Sequence, residues 1–196
     1  MSLVVAAHND GDIVIGSESL STTTKTGARQ ADFTVEKVVR LNERLALMIT
    51  GKYVSDKFQF IADYKRSVST VSDLDEAFQV LFEQAESTMT IHPGEGFGIG
   101  LAGYHDGKPG FKLITQEHGK GMGYVKDYPY NYFLLGDQQP VQLAESLIEV
   151  SAIPSGSPTN EVEATIRQII TTCIERYPAT LGGAVNTLTL SLGCYW

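Results

Sequence analysis

The most constraining stretch of the chain is its first nineteen residues, MSLVVAAHNDGDIVIGSES. Two short apolar runs, Leu3 to Ala7 and Ile13 to Ile15, flank Asn9-Asp10-Gly11. Asn or Asp before Gly between apolar runs marks a tight hairpin turn. The runs are nearly continuous rather than alternating, which predicts strands buried on both faces. A core strand at the very start of a chain holds in place a terminus that would otherwise fray. Ser2 follows Met1 directly, so removal of Met1 would put a hydroxyl and a free α-amine on one well-anchored residue. No propeptide is expected ahead of Ser2. Met1-Ser2-Leu3 is compatible with native sequence and with an expression leader alike.

The rest of the chain alternates strand and helix patterns. Leu20 to Asp32, rich in Ser and Thr, reads as a polar loop or a pair of exposed edges. Phe33 to Leu41 and Leu45 to Ile49 read as strands. Val54, Phe58, Ile61, Tyr64 and Val68 recur at helical spacing. A second helix is expected with Ser72 and Asp75 as its capping pair and Leu74, Ala77, Phe78, Leu81, Phe82, Ala85 and Met89 as its stripe, ending at Pro93-Gly94. Strands follow at Phe97 to Tyr104, Phe111 to Thr115 and Asn131 to Leu135. Helices are expected over Gln138 to Val150 and, with Thr159 as N-cap, over a stripe from Val162 to Tyr177. A last strand lies within Leu181 to Cys194. The order predicts a single α+β domain, residues 1–196, in which two mainly antiparallel sheets stack with helices outside each.

Several classes of function are disfavoured. The 196 residues carry 15 Lys and Arg against 23 Asp and Glu, a net charge of −8. No basic stripe is present to replace phosphate counterions, so no nucleic-acid partner is expected. No apolar run is long enough for a membrane span and the start lacks a signal peptide's basic region, so a cytoplasmic protein is expected. The two cysteines and four histidines show no metal-ligand spacing, and there is no phosphate-binding glycine loop. No cofactor and no metal are therefore expected.

What remains is Ser2 with Glu18 and Lys37. The hairpin register can return Glu18 to the neighbourhood of Ser2. Lys37 sits among Val35, Val38 and Val39. Pointing inward it requires a carboxylate, for which Glu18 is the nearest candidate; pointing outward it is an ordinary half-exposed strand residue.

These residues resemble the proteasome β subunits and the related bacterial two-component heat-shock peptidase, which are N-terminal nucleophile hydrolases. The resemblance runs through the spacing of Ser2, Gly11 and Glu18, through Lys37-Val38-Val39-Arg40-Leu41, Thr50-Gly51 and Phe97-Gly98-Ile99, and into Gly182-Gly183-Ala184-Val185-Asn186. It implies a four-layer αββα sandwich. It also implies Ser2 as nucleophile with its own α-amine as base, Lys37 poising both, Glu18 orienting Lys37, and the Gly51 amide stabilising the oxyanion. Thr22 and Thr50 would line an extended peptide or protein substrate. A homo-oligomeric ring, with an ATPase partner possible, would follow from the family. A scaffold or binding subunit without catalysis is the alternative. The chain departs from the pattern in having Ser for Thr at the nucleophile and Glu for Asp at 18. It has Gly136-Asp137-Gln138-Gln139 where the family has Gly-Ser-Gly-Gly. Arg176 to Leu181 replaces a supporting Asp and Ser, with Thr180 as a stand-in after a one-residue shift.

Overall fold

A computed structural model describes residues 2–25, 28–34, 36–51, 57–88, 96–117 and 119–192. The expectations resting on Met1, Val35, Val54, Met89, Pro93, Gly94 and Cys194 lie outside the described residues. The opening hairpin pairs β1 (Leu3–His8) with β2 (Asp12–Glu18). Asn9 closes the turn: its Oδ1 accepts from the amides of Gly11 at 3.1 Å and Asp12 at 2.7 Å. Asp10 takes the left-handed conformation, φ 74°, which a short polar side chain tolerates.

The chain continues through β3 (Leu20–Lys25), β4 (Ala28–Thr34), β5 (Val38–Arg40) and β6 (Ala46–Gly51) to α1 (Lys57–Ser67) and α2 (Leu74–Thr88). Then come β7 (Gly96–His105), β8 (Lys108–Glu117), β9 (Gly123–Val125) and β10 (Tyr132–Gly136). Helices α3 (Gln138–Ser151) and α4 (Thr159–Arg176) precede β11 (Val185–Ser191). One antiparallel sheet has the order β10-β1-β2-β11, the other β5-β6-β7-β8-β9, and β3 pairs with β4.

The near-continuous apolar runs are explained by where each strand lies. Leu3, Val5 and Ala7 pack with Ala144, Ile148, Ile166 and Ile170 of α3 and α4. The alternate residues Val4 and Ala6 pack with Met48, Ala102 and Phe133 between the two sheets. On the far side, Leu47, Ile49 and Leu101 meet Tyr64, Phe78 and Leu81 of α1 and α2. Successive side chains of a strand point to opposite faces, so a strand between two apolar layers must be apolar at every position. The result is a mixed α+β domain of two facing antiparallel sheets with a helix pair against the outer face of each.

Three local expectations need correction, and two further stretches are settled by their pairing. Phe33 to Leu41 is not one strand: β4 ends at Thr34 and β5 begins at Val38. The run is divided between two pairings, β4 with β3 and β5 with β6. Of the two readings of Leu20 to Asp32, the pair of strands holds, since Leu20–Lys25 pairs with Ala28–Thr34 as β3 with β4. The cap of α2 is Asp73, not Ser72, since its Oδ1 accepts from the amides of Asp75 at 2.9 Å and Glu76 at 3.2 Å. The N-cap of α4 is Pro158, and Thr159 instead donates its hydroxyl to Asp12 across the domain. Gly123–Val125, for which no strand was expected, adds an edge strand to β8.

Candidate active site

The hairpin register sets Val4 opposite Ser17. One step further, the end of β2 brings Glu18 to Leu3, whose amide donates to Oε1 at 3.0 Å. The carboxylate therefore falls one residue from Ser2. Glu18 is fully buried, and a buried carboxylate requires a partner. Lys37 provides it, donating through Nζ to the same Oε1. Its side chain is 4 % exposed, so of the two sequence readings the inward-pointing one holds. The Lys37 carbonyl accepts from the Ile49 amide at 2.9 Å, which fixes the lysine backbone to β6 just before β5 begins. Burial pushes the Lys37 ammonium below its ordinary value, while the charge and hydrogen bond of Glu18, and then the charge of Asp137, pull it back.

On the other side of β1, β10 pairs Gly136 with Leu3. This pairing sets Asp137 beside Ser2, and the two residues exchange bonds. The Ser2 nitrogen donates to Asp137 Oδ2 at 2.5 Å, and the Asp137 amide donates to the Ser2 carbonyl at 3.0 Å. The close approach depends on Gly136, which has φ 153°; a Cβ there would lie 2.1 Å from the Ser2 carbonyl oxygen. Asp137 is the site residue that sequence reading passed over, where it stood only as a missing Ser. The available signal was an Asp directly before a helix.

Thr50 and Gly51 end β6, opposite Gly98 and Phe97. Thr50 is buried and its hydroxyl oxygen lies over Gly98, beside the Leu135 side chain that leads into Gly136 and Asp137. Gly51 is exposed with φ 89°, and a Cβ there would meet the Gly96 carbonyl oxygen at 2.3 Å. Thr22 lies in the β3–β4 hairpin, opposite Ala31 and directly after a register shift. Ser2, Glu18, Lys37 and Asp137 are thus brought together, and Thr22 is placed in a separate two-stranded sheet. Thr180 does not support the group: its hydroxyl donates to the Tyr177 carbonyl at 3.0 Å and closes α4. The loop before β11 is tied down by Ser19, whose Oγ accepts from the Ala184 amide at 3.0 Å.

Chemically, the site sets a hydroxyl-bearing residue, held through its own backbone nitrogen and carbonyl, beside a buried lysine–glutamate pair. The rival nucleophile Cys173 is buried in α4 and its thiol is pushed up to about 11 by that burial. Elsewhere, Asp73, Asp75 and His105 have ligand atoms within 4.8 Å of one another, a geometry open to a metal ion. Their groups are already engaged, Asp73 in capping α2 and binding His105 at 2.8 Å, and Asp75 on Lys112 at 2.7 Å. Among the described residues no helix is long and apolar enough to cross a membrane. No protein-family model matches the chain, and no curated protein matches it.

Proposed function

We propose that this chain is an N-terminal nucleophile hydrolase of the proteasome-like αββα type, cleaving peptide or amide bonds by acyl transfer to Ser2. The observation that carries this reading is the buried Lys37–Glu18 pair one residue from Ser2. A lysine and a glutamate withdrawn from water beside the start of the first strand cost desolvation, and acid–base chemistry is a physical reason to keep them there. The order of helix pair, sheet, sheet and helix pair supports the same reading.

The mechanism requires Ser2 to be the first residue, with whatever precedes it removed. Its α-amine, with an ordinary pKa of about 7.7–8.0, then takes the proton from the Ser2 hydroxyl as Oγ attacks the substrate carbonyl. The Lys37 ammonium favours the negative charge developing on Oγ, and Glu18 keeps that ammonium aimed and compensated. The Gly51 amide serves the oxyanion of the tetrahedral intermediate, a role worth about 10²–10³-fold in comparable sites. Collapse expels the amine product with the proton from the α-ammonium. Water, deprotonated by the same amine, then hydrolyses the acyl–Ser2 ester. An extended peptide or protein substrate would be held by strand addition along Thr22 and Thr50. Assembly into a homo-oligomeric ring in the cytoplasm, and service by an ATPase partner, belong to the same proposal.

The test combines an intact mass and N-terminal sequence with peptide turnover by the wild type and Ser2→Ala. A chain beginning at Ser2 that cleaves peptides, with turnover lost in the variant, is the expected result. A chain that retains Met1 or stays inert with Ser2 exposed would favour a catalytically silent subunit with a scaffold or binding role. Turnover surviving Ser2→Ala would remove Ser2 as the nucleophile.

A further inference from the structure

We propose that Asp137 is the positioning residue of this site, holding the Ser2 α-amine through a charge-assisted hydrogen bond and setting the pH at which that amine becomes a base. The inference rests on the reading of Ser2 as an N-terminal nucleophile, and it concerns a residue that departs from the expected pattern.

Four observations converge on Asp137. Its Oδ2 accepts from the Ser2 nitrogen at 2.5 Å, and its amide donates back to the Ser2 carbonyl at 3.0 Å. The contact is therefore a two-point clamp across a sequence separation of 135 residues. Second, Asp137 occupies the N-cap position of α3 with extended φ −75° and ψ 146°, yet its side chain makes no capping bond. An N-cap Asp ordinarily accepts from the helix's own first-turn amides; here the carboxylate is turned onto Ser2 instead. Third, the approach depends on Gly136, where a side chain would collide with the Ser2 carbonyl oxygen at 2.1 Å. Fourth, the charge of Asp137 reaches Lys37. With Ser2 N-terminal, the site holds two cations, the α-ammonium and Lys37, against two carboxylates, Asp137 and Glu18.

The consequence differs from that of a neutral serine at the same place. A carboxylate against an amine favours the protonated form by about 1–3 pH units. The α-amine then frees itself only above its usual range, and hydrolysis is displaced to the alkaline side. Asp137 holds Ser2 through its nitrogen and its carbonyl, the backbone groups rather than the hydroxyl.

The test titrates the amine directly. Chain with Ser2 exposed is labelled with acetic anhydride across a pH series, and N-terminal acetylation is read by mass spectrometry, with peptide hydrolysis followed in parallel. The wild-type amine is expected to inflect above the ordinary range of about 7.7–8.0. Asp137→Asn, which keeps an acceptor and a good cap, should lower the inflection by at least about one unit, a roughly tenfold rise in free amine at neutral pH. Asp137→Glu should restore the high value, and Asp137→Ser serves if the Asn variant does not fold. The acidic limb of kcat/KM should move with the amine. Equal inflections in wild type and Asp137→Asn would overturn the assignment, and Ser2-dependent turnover persisting beside them would leave the hydrolase reading intact. An amine that shifts as expected in a chain that cleaves nothing would support Asp137 and defeat the hydrolase.

Discussion

Lys37 donates to the Glu18 Oε1 that also accepts the Leu3 amide, so one carboxylate oxygen joins the lysine to the first strand. Both side chains are withdrawn from solvent, Lys37 at 4 % and Glu18 at 0 % exposure. The pair couples β2 of one sheet to the lead-in of β5 in the other. Whatever disturbs it acts on the packing and on the surroundings of Ser2 together.

Stability and catalysis can nevertheless be separated at this pair. Lys37→Ala leaves a buried carboxylate without its cation and should cost about 3–5 kcal/mol. Replacing both residues with apolar ones of similar size, Lys37→Met with Glu18→Leu, should recover part of that loss, the rest going to the Leu3 amide that loses its acceptor. Peptide turnover is expected to be absent from both proteins. Urea denaturation beside a peptide assay reads the two effects, and turnover in the refolded double variant would remove the pair from the chemistry.

Gly51→Ala addresses the oxyanion amide. The added Cβ would lie 2.3 Å from the Gly96 carbonyl oxygen on a backbone held at φ 89°. The end of β6 must shift, and the expected result is a fall of about 10²–10³-fold in kcat. Comparison of kcat with KM checks it, because a loss confined to KM would indicate altered substrate binding instead.

Tyr104→Phe provides the opposite case, a structural loss far from Ser2. The Tyr104 hydroxyl lies 2.8 Å from the Leu190 carbonyl and 3.0 Å from that of Gly11, linking β7 to the other sheet. Burial, with the charge of Asp12, pushes the hydroxyl up to about 12, so it remains a neutral donor at neutral pH. Its removal leaves the buried Leu190 carbonyl without this donor and should cost about 1–3 kcal/mol in urea denaturation. The pH profile of hydrolysis should not move.

Two histidines should give opposite pH dependences of stability. The hydrogen bond that His105 makes to the Asp73 carboxylate, with the charges of Asp75, Asp73 and Asp106, holds His105 above its ordinary 6.5. The folded chain therefore binds this proton more tightly than the unfolded one; the stabilisation is complete below 6.5 and is lost as pH rises through the folded value. Burial holds His8 below 6.5, with Asp10 opposing. Its contribution is complete above 6.5 and is lost as pH falls through the folded value. Histidine NMR titration checks both, and Asp73→Asn should bring His105 down towards 6.5 while leaving His8 unmoved.

Much of this architecture was legible because most strands lie between apolar layers and carry that environment in their composition. The elements that were missed, split or left open between readings lack such a record. The β3–β4 hairpin is rich in Thr and Ser, and β9 is three exposed residues. The break before Val38 falls inside a run whose composition is uniform although its pairing partners change. At the site, Lys37 stood out as a lysine among valines. The same pattern recurs at Lys112 between Phe111 and Leu113, where the ammonium is also buried but meets Asp75 at 2.7 Å and the Lys126 carbonyl at 2.7 Å. The pattern therefore signals a buried lysine, and the partner decides its role. Glu18 could be reached through the hairpin register. Asp137 could not, because only the pairing of β10 with β1 brings it to Ser2, and its one local signal, an Asp directly before a helix, reads as an ordinary cap.

The central claim is that Ser2 is the nucleophile, and covalent labelling tests it most directly. Chain with Ser2 exposed is incubated with a peptide bearing an electrophilic C-terminus, and the adduct is located by mass spectrometry. The expected result is one adduct on Ser2, lost in Ser2→Ala and strongly slowed in Lys37→Met paired with Glu18→Leu. Labelling confined to another residue, or unchanged in Ser2→Ala, would contradict it.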